Sequence, residues 1–167
     1  MKTAPAVSLP DTVASKLKDA VQKHQSTVRS TVAASSVCYV AHVRNLGWQD
    51  PVCNGAVAGT IGQNAPIEAV AIQTAGTGGA CINAHVQNLG WLGKVCILDG
   101  ESRAVGTTGM ALSLEAFDVD LGHTRYANTG GQAHVQNSGW LPAEYGDWVR
   151  LGTTGQNLAL EAIRIWA

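Results

Sequence analysis

The chain has 167 residues, of which 46% are apolar and only 14% charged, with 19 glycines and a formal net charge of -1. Soluble domains typically carry roughly 25% charged residues, so this composition describes one turn-rich domain, or one domain plus a short appendage. The near-neutral balance, without a basic cluster, argues against a nucleic-acid partner, and no apolar run approaches the roughly 20 residues of a membrane span.

Residues 1–35 differ in kind from the rest, with neither Trp nor Cys and with much of the lysine. Val13, Leu17, Val21, Val28 and Val32 keep helical spacing from Leu9 onward, and His24 completes the stripe. Ser8 ahead of Leu9-Pro10-Asp11 offers an N-cap, an early proline and an acidic first turn. These signals predict a helix over about 10–30 that ends in the small-residue linker Ala33-Ala34-Ser35-Ser36. It is expected to pack on the rest of the chain; a spacer or a contact for a protein partner is the other role open to it. This stretch lacks the apolar core of a secretory signal, so export has to be argued from the cysteines.

From residue 36 the chain repeats itself. The segments AHVRNLGW (41–48), AHVQNLGW (84–91) and AHVQNSGW (133–140) each open a longer unit. Each is followed by a Gly-Thr turn and a Glu-Ala strand: AGTIGQNAPIEAVAI, VGTTGMALSLEAFDV and LGTTGQNLALEAIRI. A period of about 40–50 residues marks supersecondary units that share one core. Gly- and Thr-rich joints near 74–79 and 121–122 divide the units into 36–78, 79–122 and 123–167. In each, a first strand runs into a tight Asn-x-Gly turn, a second strand carries Trp, and a last strand carries Glu-Ala. The whole predicts an all-β, pseudo-threefold domain, a β-prism in the first place and a β-trefoil in the second, with the helix outside the symmetry. Both folds remove or protect edge strands.

The cysteines obey the repeat. Cys38 and Cys81 each stand four residues before the motif histidine, and Cys53 and Cys96 each follow the motif Trp by five. The third unit has Gly130 and Tyr145 at those places, so both members of the pair are missing together. Joint presence and joint absence predict bonds Cys38–Cys53 and Cys81–Cys96 over the two other pairings that four cysteines allow. Disulfides in turn imply an oxidising, extracellular setting.

The motif H-V-Q-N-x-G-W, the later G-T-T-G-Q and the L-E-A-I-x-I ending resemble the clostridial hydrophobic W (ChW) repeat of secreted bacterial proteins, across all three units. The resemblance implies an exported, cell-surface or envelope-associated module for substrate binding or adhesion, with no catalytic residues to carry over. Arg44 in place of Gln, Ser138 in place of Leu, and the cysteine pairs depart from the family's pattern.

Strand alternation assigns faces to the repeated residues. Glu68, Glu115 and Glu161 fall on the apolar side with Val70/Ile72, Phe117/Val119 and Ile163/Ile165, and so are expected to be buried structural carboxylates with hydrogen-bond partners. The opposite side, Ala71/Asp118/Arg164, is expected to face water; Asp118 and Asp120 are read as a solvated face rather than metal ligands. The Trp side depends on register. Direct facing of Cys38 and Cys53 would pair Val43 with Trp48 and bury the indole, whereas a glycine bulge in the turn would place Trp48 beside His42 and Arg44. The disulfide favours the first and Gly47 the second.

Candidate ligand contacts gather at the three turns: His42, Arg44, Asn45 and Trp48; His85, Gln87, Asn88 and Trp91; His134, Gln136, Asn137 and Trp140. A sugar ring stacks its C–H face on an aromatic ring, and its hydroxyls take hydrogen bonds from such polar neighbours. For the Asn residues turn geometry competes with this role, and for the His residues pairing with the buried Glu does. Three equivalent carboxylates do not make a catalytic pair, which needs two groups in different environments. The expected function is therefore a secreted, non-catalytic module for carbohydrate or a cell-wall polymer, with up to three equivalent sites and no cofactor. A structural or protein-interaction scaffold is the alternative. Trp148 and Trp166 occur in the third unit alone and give it a distinct surface or interface.

Overall fold

A computed structural model describes residues 7–27, 35–122 and 129–167. One helix, α1 (Asp11–Thr27), precedes fifteen strands among the described residues, five in each repeat. Repeat 1 supplies β1 (Ser36–Val43), β2 (Gly47–Trp48), β3 (Val52–Cys53), β4 (Ala58–Gly59) and β5 (Ile67–Ala75). Repeat 2 supplies β6 (Ala80–Val86), β7 (Gly90–Trp91), β8 (Val95–Ile97), β9 (Ser102–Gly106) and β10 (Leu114–Asp120). Repeat 3 supplies β11 (Gly130–Val135), β12 (Gly139–Trp140), β13 (Glu144–Tyr145), β14 (Trp148–Gly152) and β15 (Leu160–Trp166).

Three five-stranded antiparallel sheets surround one core, and each is completed by a neighbour. Within a repeat the first strand pairs with the second, third and fifth. The fourth strand leaves: β9 adds to β5, β14 adds to β10, and β4 adds to β15. Repeat 2 thus completes sheet 1, repeat 3 completes sheet 2, and repeat 1 completes sheet 3. The exchange closes a ring, so the pseudo-threefold domain folds as one unit.

A glycine ends each exchanged strand because the backbones touch there. A Cβ on Gly106 would lie 2.4 Å from the Glu68 carbonyl oxygen; on Gly152 it would lie 2.4 Å from that of Glu115, and on Gly59 2.3 Å from that of Glu161. The next residue then donates its N–H to the same carbonyl, Thr107 to Glu68, Thr153 to Glu115 and Thr60 to Glu161. The Gly-Thr dipeptide of the repeat is the clasp between one repeat and the next.

Alternation sends Val37, Tyr39, Ala41 and Val43 of β1 inward, with Ile82, Ala84 and Val86 of β6 and Ala133 and Val135 of β11. They meet Val70, Ile72, Phe117, Val119, Ile163 and Ile165 from the last strands. Tyr39 is fully buried, and its hydroxyl is satisfied: it donates its one hydrogen to the Ala56 carbonyl, just ahead of β4, and accepts from the Ile165 N–H of β15. Burial pushes this phenol well above its ordinary range. At the first joint, Asp99 accepts from the Thr74 and Thr77 hydroxyls and from the Gly78 and Gly79 amides. Burial raises its carboxyl, but these hydrogen bonds outweigh that and hold it below the usual carboxylate range.

Helix α1 starts at Asp11, where the Pro10 carbonyl accepts from Val13 and Ala14, rather than at a Ser8 cap. Val28 and Val32 lie outside the described residues. Val13, Leu17 and Val21 pack on Cys38, Val40 and Ala71, the outward side of sheet 1. His24 and Gln25 both hydrogen-bond the Ser36 hydroxyl. The sequence shows why the helix docks on this sheet. Val40 stands where the other repeats have Asn83 and Gln132, and the cross-strand pair Ala71–Ala104 stands where sheet 2 has Asp118–Arg150. Ala71 was expected to face water; it is buried because α1 covers it. Burying three such side chains contributes on the order of 5–8 kcal/mol gross. Leu17→Asp is expected to detach α1 while the β domain stays folded; a red shift of Trp fluorescence with unchanged strand circular dichroism would record it.

The disulfides are Cys38–Cys53 and Cys81–Cys96, as predicted, each between directly opposed residues of the first and third strands. Each closes a loop of sequence separation 15. Replacing Cys81 and Cys96 together by Ala is expected to lower stability by about 2–3 kcal/mol in urea unfolding, because the denatured chain regains that loop's freedom. In sheet 3, Gly130 opposes Tyr145 at the same place. Trp166 fills the space there: its ring would lie 3.0 Å from a Cβ on Gly130, and it packs on Tyr145 with centroids 5.8 Å apart.

Candidate functional site

Each turn sets its Trp beside its His. Asn45, Asn88 and Asn137 take left-handed φ values of 67°, 66° and 64°, the turn geometry that Asn tolerates. Trp48 then pairs with His42, Trp91 with His85 and Trp140 with His134. The two register signals coexist, because one extra residue lies between the pairings of β1 with β2 and with β3: His42 faces Trp48 while Cys38 faces Cys53. The indoles are half-buried on the outward, polar side. The paired rings meet edge-on, with centroids 5.2, 5.2 and 5.3 Å apart.

The triplicated glutamates are buried, at 4%, 7% and 7% exposure. A bulge in each last strand skips the Glu in the pairing, as between Ile67 and Ala69 opposite Val43 and His42. The carboxylate therefore escapes strict alternation and reaches the His of the outer face. His42, His85 and His134 Nδ1 lie 3.2, 3.1 and 3.2 Å from Glu68, Glu115 and Glu161 Oε1. These contacts are at ion-pair distance but bent away from hydrogen-bond geometry. Each motif thus forms a Glu–His–Trp stack in which the His braces the indole. Three equivalent, braced carboxylates have the geometry of supports.

Arg44, Gln87 and Gln136 gather in one place rather than at three. They converge, one from each repeat, on a polar bowl of about 280 Å³ at one end of the pseudo-threefold axis. Their backbone N–H groups bond the carbonyls of Pro66, Ser113 and Ala159. Gln87 Oε1 accepts from Ser113 N and Gln136 Oε1 from Ala159 N. Pro66 has no N–H to offer, so a Gln at 44 would lack that partner. Arg44 instead donates from Nε to Glu68 (3.2 Å) and from a terminal nitrogen to the Ser113 hydroxyl (3.1 Å). The departure at 44 compensates the proline at 66.

The outer faces of the three sheets are unlike. On sheet 1, Trp48 packs into the cluster under α1. On sheet 2, Arg150 lies 4.5 Å from the centre of Trp91 and 5.4 Å from that of Trp148, and Asp118 fixes its guanidinium with two hydrogen bonds of 2.8 and 2.9 Å. Trp148 is 54% exposed and borders a cleft with Asn83, Lys94 and Asp120. On sheet 3, Arg164 lies 5.4 Å from Trp140 and 5.8 Å from Trp166, held by Gln132 Oε1 at 2.8 Å from its Nε. Tyr145, 74% exposed, extends that row. Asp118 is thus no free solvated carboxylate but the anchor of Arg150. Among the described residues no group of three or more His, Cys, Asp or Glu could hold a metal ion, and no helix is long and apolar enough to cross a membrane.

Arg150 and Arg164 were not among the residues expected at the site. Their signal was present in Trp148-Val149-Arg150 and Arg164-Ile165-Trp166, since residues two apart on a strand share a face. The two ladders arise at different places, one on an exchanged fourth strand and one on a fifth strand, yet each aligns a repeat Trp, an Arg and a second Trp.

The sequence model described as clostridial hydrophobic W matches residues 42–76, 85–122 and 134–166. The chain belongs to the clostridial hydrophobic W family. No curated protein and no solved structure matches it. Each ChW match opens on the motif His and runs through the strand that carries the Glu, so the family unit contains the whole Glu–His–Trp stack. Arg150 and Arg164 lie inside the third match, whereas Cys38 and Cys81 lie ahead of the first and second. The disulfides straddle the unit's boundary.

Proposed function

We propose that this ChW protein is an exported, non-catalytic carbohydrate-binding module that holds a glycan of the cell envelope or an extracellular polymer on the outer faces of sheets 2 and 3. The Trp91–Arg150–Trp148 ladder carries the proposal. An indole offers an apolar face to sugar C–H groups and a polar edge to water. An arginine between two indoles, itself clamped by Asp118, fixes their orientation before a ligand arrives, which lowers the ordering cost of binding. Asn83, Lys94 and Asp120 beside Trp148 supply donors and acceptors for ring hydroxyls. The ladder on sheet 3 repeats the chemistry with Gln132 as the clamp. Two such faces on one rigid domain gain avidity on a repetitive polymer without any further contact. The two disulfides support export, since such bonds persist in oxidising compartments.

Retention on insoluble cell-wall polysaccharide tests the proposal. Trp148→Ala is expected to weaken it about tenfold, on the scale of one lost stacking contact of about 1–1.5 kcal/mol. Trp148→Ala with Trp166→Ala is expected to abolish it, because avidity disappears with the second face. A folded double variant retained like the parent would remove the two ladders as the site, and a parent that is not retained at all would favour a structural or protein-interaction scaffold.

A further inference from the structure

The bowl on the pseudo-threefold axis is separate from both ladders and has chemistry of its own. Three repeats deliver a side chain to it, and each side chain is oriented from behind. The Oε1 atoms of Gln87 and Gln136 are occupied by the backbone amides of Ser113 and Ala159. Among the described residues nothing bonds the Nε2 group of either glutamine. Arg44 spends Nε on Glu68 and one terminal nitrogen on Ser113, which leaves further guanidinium hydrogens at the rim. Glu115 lines the bowl as an acceptor, and Asn157 and Ser113 add hydroxyl or amide groups.

Charge then selects the ligand class. The Arg44 cation is offset by Glu68 at 3.2 Å, and Glu115 and Glu161 stand against His85 and His134. A free anion entering the bowl meets the Glu115 carboxylate beside a guanidinium already offset by Glu68, and a cation meets that guanidinium and two amide donor groups. A neutral group rich in hydroxyls matches both the donors and the acceptor. The volume of about 280 Å³ lies just under the roughly 300–1,000 Å³ of pockets that enclose drug-sized ligands, which suits a single ring.

We infer that the axial bowl is a second binding site, for one neutral sugar unit presented end-on, such as the terminus of a glycan chain. It rests on the carbohydrate reading above, but on different residues: the ladders take the side of a chain, and the bowl takes an end. One molecule thus carries a single axial site where the repeat sequence alone suggested three equivalent ones.

Nitrogen–proton correlation spectra test this directly. The side-chain amides of Gln87 and Gln136 and the backbone amide of Ser113 are followed while glucose, galactose or N-acetylglucosamine is added to tens of millimolar. Glucuronate and glucosamine serve as charged controls. At least one neutral sugar is expected to shift all three groups saturably, and the charged ones less. Gln136→Glu keeps an acceptor for Ala159 and loses the donor pair; with the folded spectrum retained, it should bind about fivefold more weakly, the scale of one hydrogen bond. Bowl signals that stay still with every neutral sugar, or that shift equally in Gln136→Glu, overturn the inference. Movement of the Trp148 or Trp166 indoles beside a silent bowl would overturn the axial site and leave the outer faces standing. Movement of the bowl beside silent indoles would do the reverse.

Discussion

Gly106→Ala is expected to lower stability by about 4 kcal/mol, as the sum of an unfavourable backbone conformation and forced displacement in a packed contact. Gly106 has a φ of +111°, and its missing Cβ would lie 2.4 Å from the Glu68 carbonyl and 2.7 Å from the Ala69 Cα. Both obstacles are backbone, so β9 would have to move away from β5. Gly109 makes a control: its φ is +73°, and nothing lies within 4 Å of an added Cβ. Gly109→Ala should cost about 1–2 kcal/mol, the left-handed penalty alone. Urea midpoints of the two variants measure the difference. Equal midpoints would mean that β9 does not press on β5, and the strand exchange that closes the ring would fall with it.

Glu68→Ala is expected to cost about 3–4 kcal/mol, more than Glu115→Ala at about 2 kcal/mol. Removing one member of a buried ion pair leaves the other charge uncompensated. Glu68 supports both His42 and Arg44, whereas Glu115 supports His85 alone among the ion pairs. Glu68→Gln keeps an acceptor and should be milder than the alanine change. Thermal melts of the three variants give the order directly, and alanine variants that melt like the parent would return the carboxylates to a ligand-binding role.

Much of this is legible in the sequence. Three copies of one motif gave the pseudo-threefold β domain, the joint absence at Gly130 and Tyr145 gave both disulfides, and the stripe Val13-Leu17-Val21 gave a packing helix. The exchange of β4, β9 and β14 was not legible, because a strand's pattern tells which of its faces is buried and not which sheet it joins. Unbroken alternation puts the glutamates among apolar residues; they are buried, but a bulge turns them to the outer His. The two register signals looked exclusive because the extra residue between β2 and β3 has no signature of its own in the turn. Val40, Ala71 and Ala104 did mark the face that α1 covers, once aligned with Asn83, Asp118 and Arg150. The convergence of Arg44, Gln87 and Gln136 follows from the symmetry axis, which no single repeat reveals.

The five tryptophans allow one decisive measurement, since each indole N–H gives its own nitrogen–proton signal. Soluble oligosaccharides released from cell-wall polymer are titrated into the labelled protein with those signals assigned. Binding on the open faces predicts that Trp148 and Trp166 move together with saturation, while Trp48, packed under α1, stays in place. Indoles that all remain still at full ligand load, or a Trp48 that moves as far as Trp148, would contradict it.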